Sequence, residues 1–314
     1  MAEMLKSRAK PHDFVIPTVL CGTVTALVGP GGVGKSGFAL QNAISVAIGR
    51  DVYNLWGDPG APFKLKKGKV LYISAEDGQE VVTSRVKIAC KRLSRAQRAK
   101  AIENLHWFFP KGFGIVKRSN GKLVESDWIT DLHAFIRKMP EKPRLIIIDT
   151  LNRSLGDANE NSATGIGKLD EALKGVAEAW NAAVQIVHHT VKNVGDVEAG
   201  LKPDAARGSG ATAASVRSMI NIAPDDRNPD VICYAVSKAN YGPKPLMRYA
   251  KRDENGVLTG SAIHPDSITR EQPSLPPQDR MMNEEHPLTG SLSRRIATRL
   301  GGGRPEAPPA EMLN

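Results

Sequence analysis

The stretch Gly29-Pro30-Gly31-Gly32-Val33-Gly34-Lys35-Ser36 limits what this chain can become more than any other feature. It matches G-x-x-x-x-G-K-[ST] at every defined position. The apolar run Thr23–Val28 precedes it and reads as a buried strand, and Ser36–Ile48 follows and reads as a helix. A strand, a glycine-rich turn and a helix in that order fold backbone N–H groups inward around phosphate oxygens. The helix N-terminus adds partial positive charge. Lys35 then reaches the β and γ phosphates, and the Ser36 hydroxyl offers an oxygen to Mg²⁺. Gly29 through Gly37 is therefore the expected nucleotide-binding run. The glycines Gly29, Gly31 and Gly34 also fit the dinucleotide pattern G-x-G-x-x-G. That pattern leaves Lys35-Ser36 unexplained. It also asks for an acidic residue nearer to the loop than Glu76, which ends the second strand. A nucleoside triphosphate is the preferred reading.

Around this loop, short apolar runs alternate with helical patterns. Val70–Ser74, Arg144–Ile148 and Val184–His188 read as strands, with His106–Phe109 as a further short one. Gln79–Arg92, Trp128–Met139 and Ile166–Asn181 read as helices. Fully apolar strands separated by helices predict an α/β fold, a mostly parallel sheet covered on both faces. Ser215–Ile222 and Val231–Ser237 read as hairpin material at an antiparallel edge. Hydrophobic residues make up 41% of the 314 and aromatics only 5%, which suits an aliphatic core of this kind.

Phosphoryl transfer needs a metal ligand and a group that positions water. Leu145–Ile148 makes a central strand with Asp149 at its C-terminal tip, where ligands bind in open α/β sheets. Asp149 is the expected Mg²⁺ ligand, directly or through water. After Val70–Ser74 come Glu76 and Asp77. Glu76 is the candidate for orienting and deprotonating water. Asp77 either supports that site or caps the helix that follows. The strand Val184–His188 ends in His188-His189. Adjacent strand side chains point to opposite faces, so only one of the two faces the phosphate. The same geometry argues against a zinc pair.

The charge balance is 43 Lys+Arg against 33 Asp+Glu, a formal +10. Such a chain attracts polyanions, nucleic acid among them. The 3 cysteines, Cys21, Cys90 and Cys233, lie far apart without a CxxC pair, which excludes a disulfide scaffold and a Cys-built zinc site. No apolar run reaches membrane-spanning length and no signal-peptide pattern appears, so a cytoplasmic location without membrane contact is expected. From Glu271 to Asn314 there is no aromatic residue and proline is frequent. That composition predicts a flexible tail. The expected organisation is a basic arm at 1–12, one ATPase domain at 13–264 and the tail at 265–314.

Taken together, GPGGVGKS, ISAEDG, LIIIDT, IVHHT and the run Val236–Gly242 (VSKANYG) resemble the RecA-like ATPases of the plasmid RepA-type replicative helicase group, a branch of the AAA-family ATPases. The resemblance covers Asp13 to His264. It implies a homo-hexameric ring or a related ring, ATP and Mg²⁺ bound between subunits, and single-stranded DNA in the centre. By matching position, Lys35 and Ser36 bind phosphate and Mg²⁺, Glu76 is the catalytic carboxylate and Asp149 the metal ligand. His189 matches the γ-phosphate sensor. Arg217 stands where the family places its arginine finger, with Arg207 as the alternative, and Lys238 reaches a neighbour's nucleotide. Arginine on a surface strand is also ordinary, and so is a surface lysine. The segment Asp13–Pro17 resembles the one the family places near the adenine. The segment Thr190–Ala206 follows the sensor strand, where RecA-like proteins place a DNA-binding loop, although its lysines Lys192 and Lys202 are offset by acidic neighbours. The tail offers a surface for an initiator or a primase. A recombination-mediator or clock-like regulatory ATPase, or an ATP-gated interaction switch, are the competing expectations.

Overall fold

The computed structural model describes residues 1, 11–58, 60–158, 162–190, 196–206 and 209–268. Residues 269–314 of the expected tail and most of the basic arm lie outside them, as do Lys192 and Arg207. The chain begins with a small pair, β1 (Phe14–Ile16) and β2 (Val19–Leu20), and then enters β3 (Val24–Gly29) and α1 (Lys35–Ile48). Next come β4 (Lys69–Ser74), α2 (Gln79–Cys90), α3 (Arg95–Asn104) and β5 (Leu105–Phe108). A hairpin of β6 (Val116–Ser119) and β7 (Lys122–Glu125) leads into α4 (Trp128–Arg137) and β8 (Pro143–Asp149). After the short α5 (Leu151–Ser154) follow α6 (Ala163–Trp180), β9 (Ala183–His189), α7 (Val197–Gly200) and α8 (Ser209–Ser215). The chain then runs through β10 (Ser218–Pro224), β11 (Val231–Ala239), β12 (Arg248–Arg252), β13 (Leu258–Ser261) and α9 (Pro265–Ile268).

Among the described residues the main sheet has 9 strands in the order β13-β12-β11-β10-β3-β9-β8-β4-β5. From β10 to β5 every pairing is parallel. From β10 to β13 the pairings are antiparallel. Alternate residues of the central strands bury on opposite faces. Leu27, Tyr72, Leu145 and Ile147 join the core under α1 and α3. Val28, Ile73, Ile146 and Ile148 join the core under α4 and α6. The result is an α/β architecture, with both faces of a largely parallel sheet covered by helices.

One expectation needs correction. The run Ser215–Ile222 does form the expected antiparallel hairpin with β11, but β10 is not at the edge: its other side pairs in parallel with β3 from Ser218↔Thr25 to Asn221↔Val28. Its residues Met219, Ile220 and Ile222 are fully buried because both faces are covered there, as a parallel pairing requires. The antiparallel edge is built farther out, by β11, β12 and β13.

Candidate nucleotide site

All parallel strands point their carboxyl ends to the same side, and the candidate residues gather there. The phosphate loop leaves the tip of β3 and enters α1. Gly34 occupies the N-cap with φ 102, a left-handed conformation that a side chain would strain, and no side chain caps the helix. The first turn of α1 also holds no acidic residue. The free N–H groups and the helix dipole are thus left to an anion. Gly29 packs so tightly that a Cβ there would lie 2.7 Å from the Ile222 carbonyl oxygen. Arg252 braces the loop from outside by donating to the Val33 carbonyl at 2.7 Å.

Lys35 is buried, and its ammonium donates to the carbonyls of Gly29 at 2.9 Å and Pro30 at 2.7 Å. The Nδ1 of His189 lies 3.3 Å from the same nitrogen. An ammonium has only donors, so that ring nitrogen accepts and the ring proton sits on Nε2. His188, its neighbour, is fully buried and points away from the cleft. The strand periodicity therefore gives His189 to the phosphate side and His188 to the core.

Asp149 ends β8 beside β4 and is buried. Burial pushes its carboxyl up from the ordinary range, against the pull of hydrogen bonds from Ser36 and Tyr72. The Tyr72 hydroxyl donates to Asp149 Oδ2 at 2.9 Å. Sequence reasoning gives Tyr72 no role, because its partner depends on strand register. Tyr72 pairs with Ile147, which places Asp149 diagonally opposite on the same face, within reach of a long aromatic side chain. Its ring packs against Trp107 at 5.2 Å between centroids, which fixes the hydroxyl's aim.

Glu76 is exposed and Asp77 half-buried, and both line the cleft. Asp77 does not cap α2. Gly78 takes the N-cap, and the Asp77 carboxylate pairs with Arg85 instead. The cleft measures about 370 Å³ and runs from Gly32–Gly37 past Thr150 and His189 to a far wall of Leu40, Ile88, Ala89 and Val257. That wall is apolar, the surface a flat nucleobase takes. The turn Asn255–Val257 belongs to it, held by Asp253, which accepts from the Asn255 and Val257 amides and pairs with Arg92. No motif in the sequence announces this wall.

The donor set fits Mg²⁺. A hydroxyl (Ser36) and a buried carboxylate (Asp149) are hard oxygen ligands, and this ion is usually held by one or two such groups with phosphates and water. Among the described residues no cluster of three His, Cys, Asp or Glu forms a closed metal cage. Such a cage is not what a phosphate-bridged ion needs.

Two expected residues and one expected segment stand apart from the cleft. Arg217 precedes β10, and its amide donates to the Val24 carbonyl at the start of β3. Val24 to Gly29 is a span of about 16 Å along an extended strand, beyond the reach of an arginine side chain. Lys238 lies at the same amino edge, paired in register with Met219, and donates to the Ala213 carbonyl at 2.6 Å. Burial, with Arg217 beside it, pushes its amine below the usual range. The segment Asp13–Pro17, expected near the adenine, is also at this edge. Asp13 forms a bidentate ion pair with Arg144 at the start of β8. In the segment 190–206, Lys202 pairs with Glu198, and Asn221 holds the carbonyls of Gly200 and Lys202.

Residues 1–195 match the family model described as an AAA domain. Among solved structures, a DnaB-like replicative helicase, solved for its interactions with primase, is similar with a TM-score of 0.56 at 16% identity, over 82% of this chain. This chain spans 66% of that helicase's length. A second solved structure, an isolated ATPase domain, is similar with a TM-score of 0.54 at 16% identity, over 82% of this chain and 95% of that one. At such identities the likeness establishes the fold. Among the described residues no helix is long and apolar enough to cross a membrane.

Proposed function

The chain belongs to the AAA-domain family, and from that premise we propose that this RecA-like P-loop ATPase is a ring motor on DNA, a hexameric replicative helicase of a plasmid or mobile element. The observation that carries this reading is the division of the site between two edges of the sheet. Phosphate loop, Asp149, Glu76 and His189 meet at the carboxyl edge, while Arg217 and Lys238 stand at the amino edge, out of reach of their own loop. A ring brings the amino edge of one subunit to the cleft of the next. Arg217 then neutralises the charge that develops on the transferred phosphoryl group.

Within one subunit, the loop amides and Lys35 hold the phosphates, and His189 senses the outermost one through Lys35. Glu76 orients the attacking water and takes its proton. Tyr72 keeps the Asp149 carboxylate aimed at Ser36. Ser36 and Asp149 would hold Mg²⁺, which would neutralise charge on the phosphate oxygens. The segment 190–206 faces single-stranded DNA in the ring's centre, and the tail offers contact to an initiator or primase.

Displacement of a labelled strand from a forked duplex tests this reading, run with ATP and with a non-hydrolysable analogue. ATP-dependent displacement by a sedimenting hexamer is expected. A monomer that hydrolyses ATP without displacing the strand would move the chain to the regulatory or recombination-mediator ATPases.

A further inference from the structure

The basic excess of this chain has a definite address. Residues 81–102 hold seven basic side chains and no acidic one. They make up most of α2, the turn Lys91–Ser94 and most of α3, whose outer ends carry Glu80 and Glu103, and all seven basic side chains are exposed. Arg85 and Arg92 are neutralised by Asp77 and Asp253. Arg98 donates to the Leu93 and Lys91 carbonyls, which orders its guanidinium over the turn without cancelling its charge. Lys87, Lys91, Arg95 and Lys100 have no carboxylate partner among the described residues.

Local structure does not explain this charge. Lys87 in the last turn of α2 is favoured by the helix dipole. Arg95 and Arg98 are in the first turn of α3, where the dipole disfavours cations and no acidic residue offsets them. The helix instead forms through the capping box of Ser94 and Gln97. It buries only Ala101 and Asn104, so its outer face is free of packing duties. Ala96 and Ala99 keep that face low between the charges, which lets an extended anion lie along it. A charge pattern that works against its own helix and has no internal partner is expected where an external ligand compensates it.

We propose that the α2–α3 face is a second nucleic-acid contact, binding the phosphodiester backbone without regard to sequence and separate from the segment 190–206. This inference rests on the reading that the ATPase acts on nucleic acid. The ligand chemistry is a row of phosphates, from a single strand or from duplex. The contact is electrostatic, because the face carries no exposed aromatic ring for stacking bases.

The test compares wild type with the triple variant Lys91→Ala, Arg95→Ala, Lys100→Ala, none of which lines the nucleotide cleft. Anisotropy of labelled oligo-dT and of labelled duplex is followed between about 50 and 200 mM salt. Each lost phosphate contact flattens the plot of log affinity against log salt by about 0.7 for single strands and about 0.9 for duplex. A flattening of about 2 with either probe is expected, and the probe that responds identifies the source of the phosphates. Lys91→Arg, Arg95→Lys, Lys100→Arg should restore the wild-type slope, which separates charge from folding. Unchanged slopes with both probes would overturn the proposal. If poly-glutamate binding then fell in the triple variant, the face would belong to an acidic protein. Wild type whose hydrolysis responds to DNA while the triple variant keeps the wild-type slope defeats this inference alone. Wild type that binds neither probe defeats it together with the nucleic-acid reading.

Discussion

The two edges of the sheet are built from the same strands and differ in what they finish. At the carboxyl edge, β3, β4, β8 and β9 end together, so the phosphate loop, Glu76 and His189 line one cleft, with the buried Asp149 hydrogen-bonded to Ser36 beside it. At the amino edge, Arg217, Lys238, Asp170 and Lys174 influence one another, with no phosphate loop within reach. Strand polarity alone accounts for the first gathering. The second is three cations sharing one carboxylate, a cluster that the proposed ring would set against another subunit.

Substitutions at each edge should therefore fail in different ways. Arg217→Ala is expected to lower turnover by about 10³-fold while the isolated chain still binds a fluorescent ATP analogue. Mixing it with Lys35→Ala subunits should recover part of the activity, because one interface then carries both an intact loop and an intact arginine. Wild-type turnover in Arg217→Ala would break the comparison and hand the role to Arg207. Glu76→Gln is expected to lower turnover by about 10²-fold with binding retained, and mixing it with Arg217→Ala should likewise recover part of the activity, because the Arg217→Ala subunit then supplies an intact cleft and the Glu76→Gln subunit an intact arginine. A Glu76→Gln enzyme with unchanged kcat would remove the carboxylate from the mechanism.

Smaller effects sharpen the same contrast. Tyr72→Phe withdraws a donor from the buried Asp149 carboxylate, at a cost of about 1–3 kcal/mol in denaturant unfolding. It should also raise the Mg²⁺ concentration needed for half-maximal hydrolysis. Unchanged values in both would deny the hydroxyl its positioning role. At the amino edge, Asp13→Asn should cost about 1 kcal/mol or less at neutral pH, because the pair with Arg144 is partly solvated. Hydrogen bonds from Arg144 hold the Asp13 carboxyl below the usual carboxylate range. A depressed carboxyl stabilises the fold above its unfolded pKa of about 3.9 and loses that contribution as pH falls below it. Melting curves of wild type and Asp13→Asn should accordingly converge in acid. A constant gap down to low pH would show that the cost lies elsewhere.

The parts of the site legible in the sequence are those encoded locally. The phosphate loop is eight consecutive residues between a strand and a helix. Asp149 ends an apolar run, and the two faces of a strand distinguish His189 from His188. Tyr72 is not legible, since its partnership requires knowing that β4 lies beside β8 and in which register. The apolar wall is not legible either, because it joins α2 to a turn of the antiparallel extension that no motif marks. The polar helix α3 lacks apolar periodicity, and its one signal is the Ser94–Gln97 capping box. The hairpin of β10 with β11 is legible, but the second, parallel partner of β10 is not. Its apolar content is visible, but which strand lies on its other side is decided by tertiary packing.

A motor on DNA requires hydrolysis in this cleft to be coupled to the single strand. The direct measurement is steady-state ATP hydrolysis with and without oligo-dT, beside a Lys35→Ala control. Strong stimulation by the single strand is expected, with a loss of at least about a hundredfold in the variant. Hydrolysis abolished by Lys35→Ala yet indifferent to DNA would contradict it, leaving an ATPase whose partner is a protein.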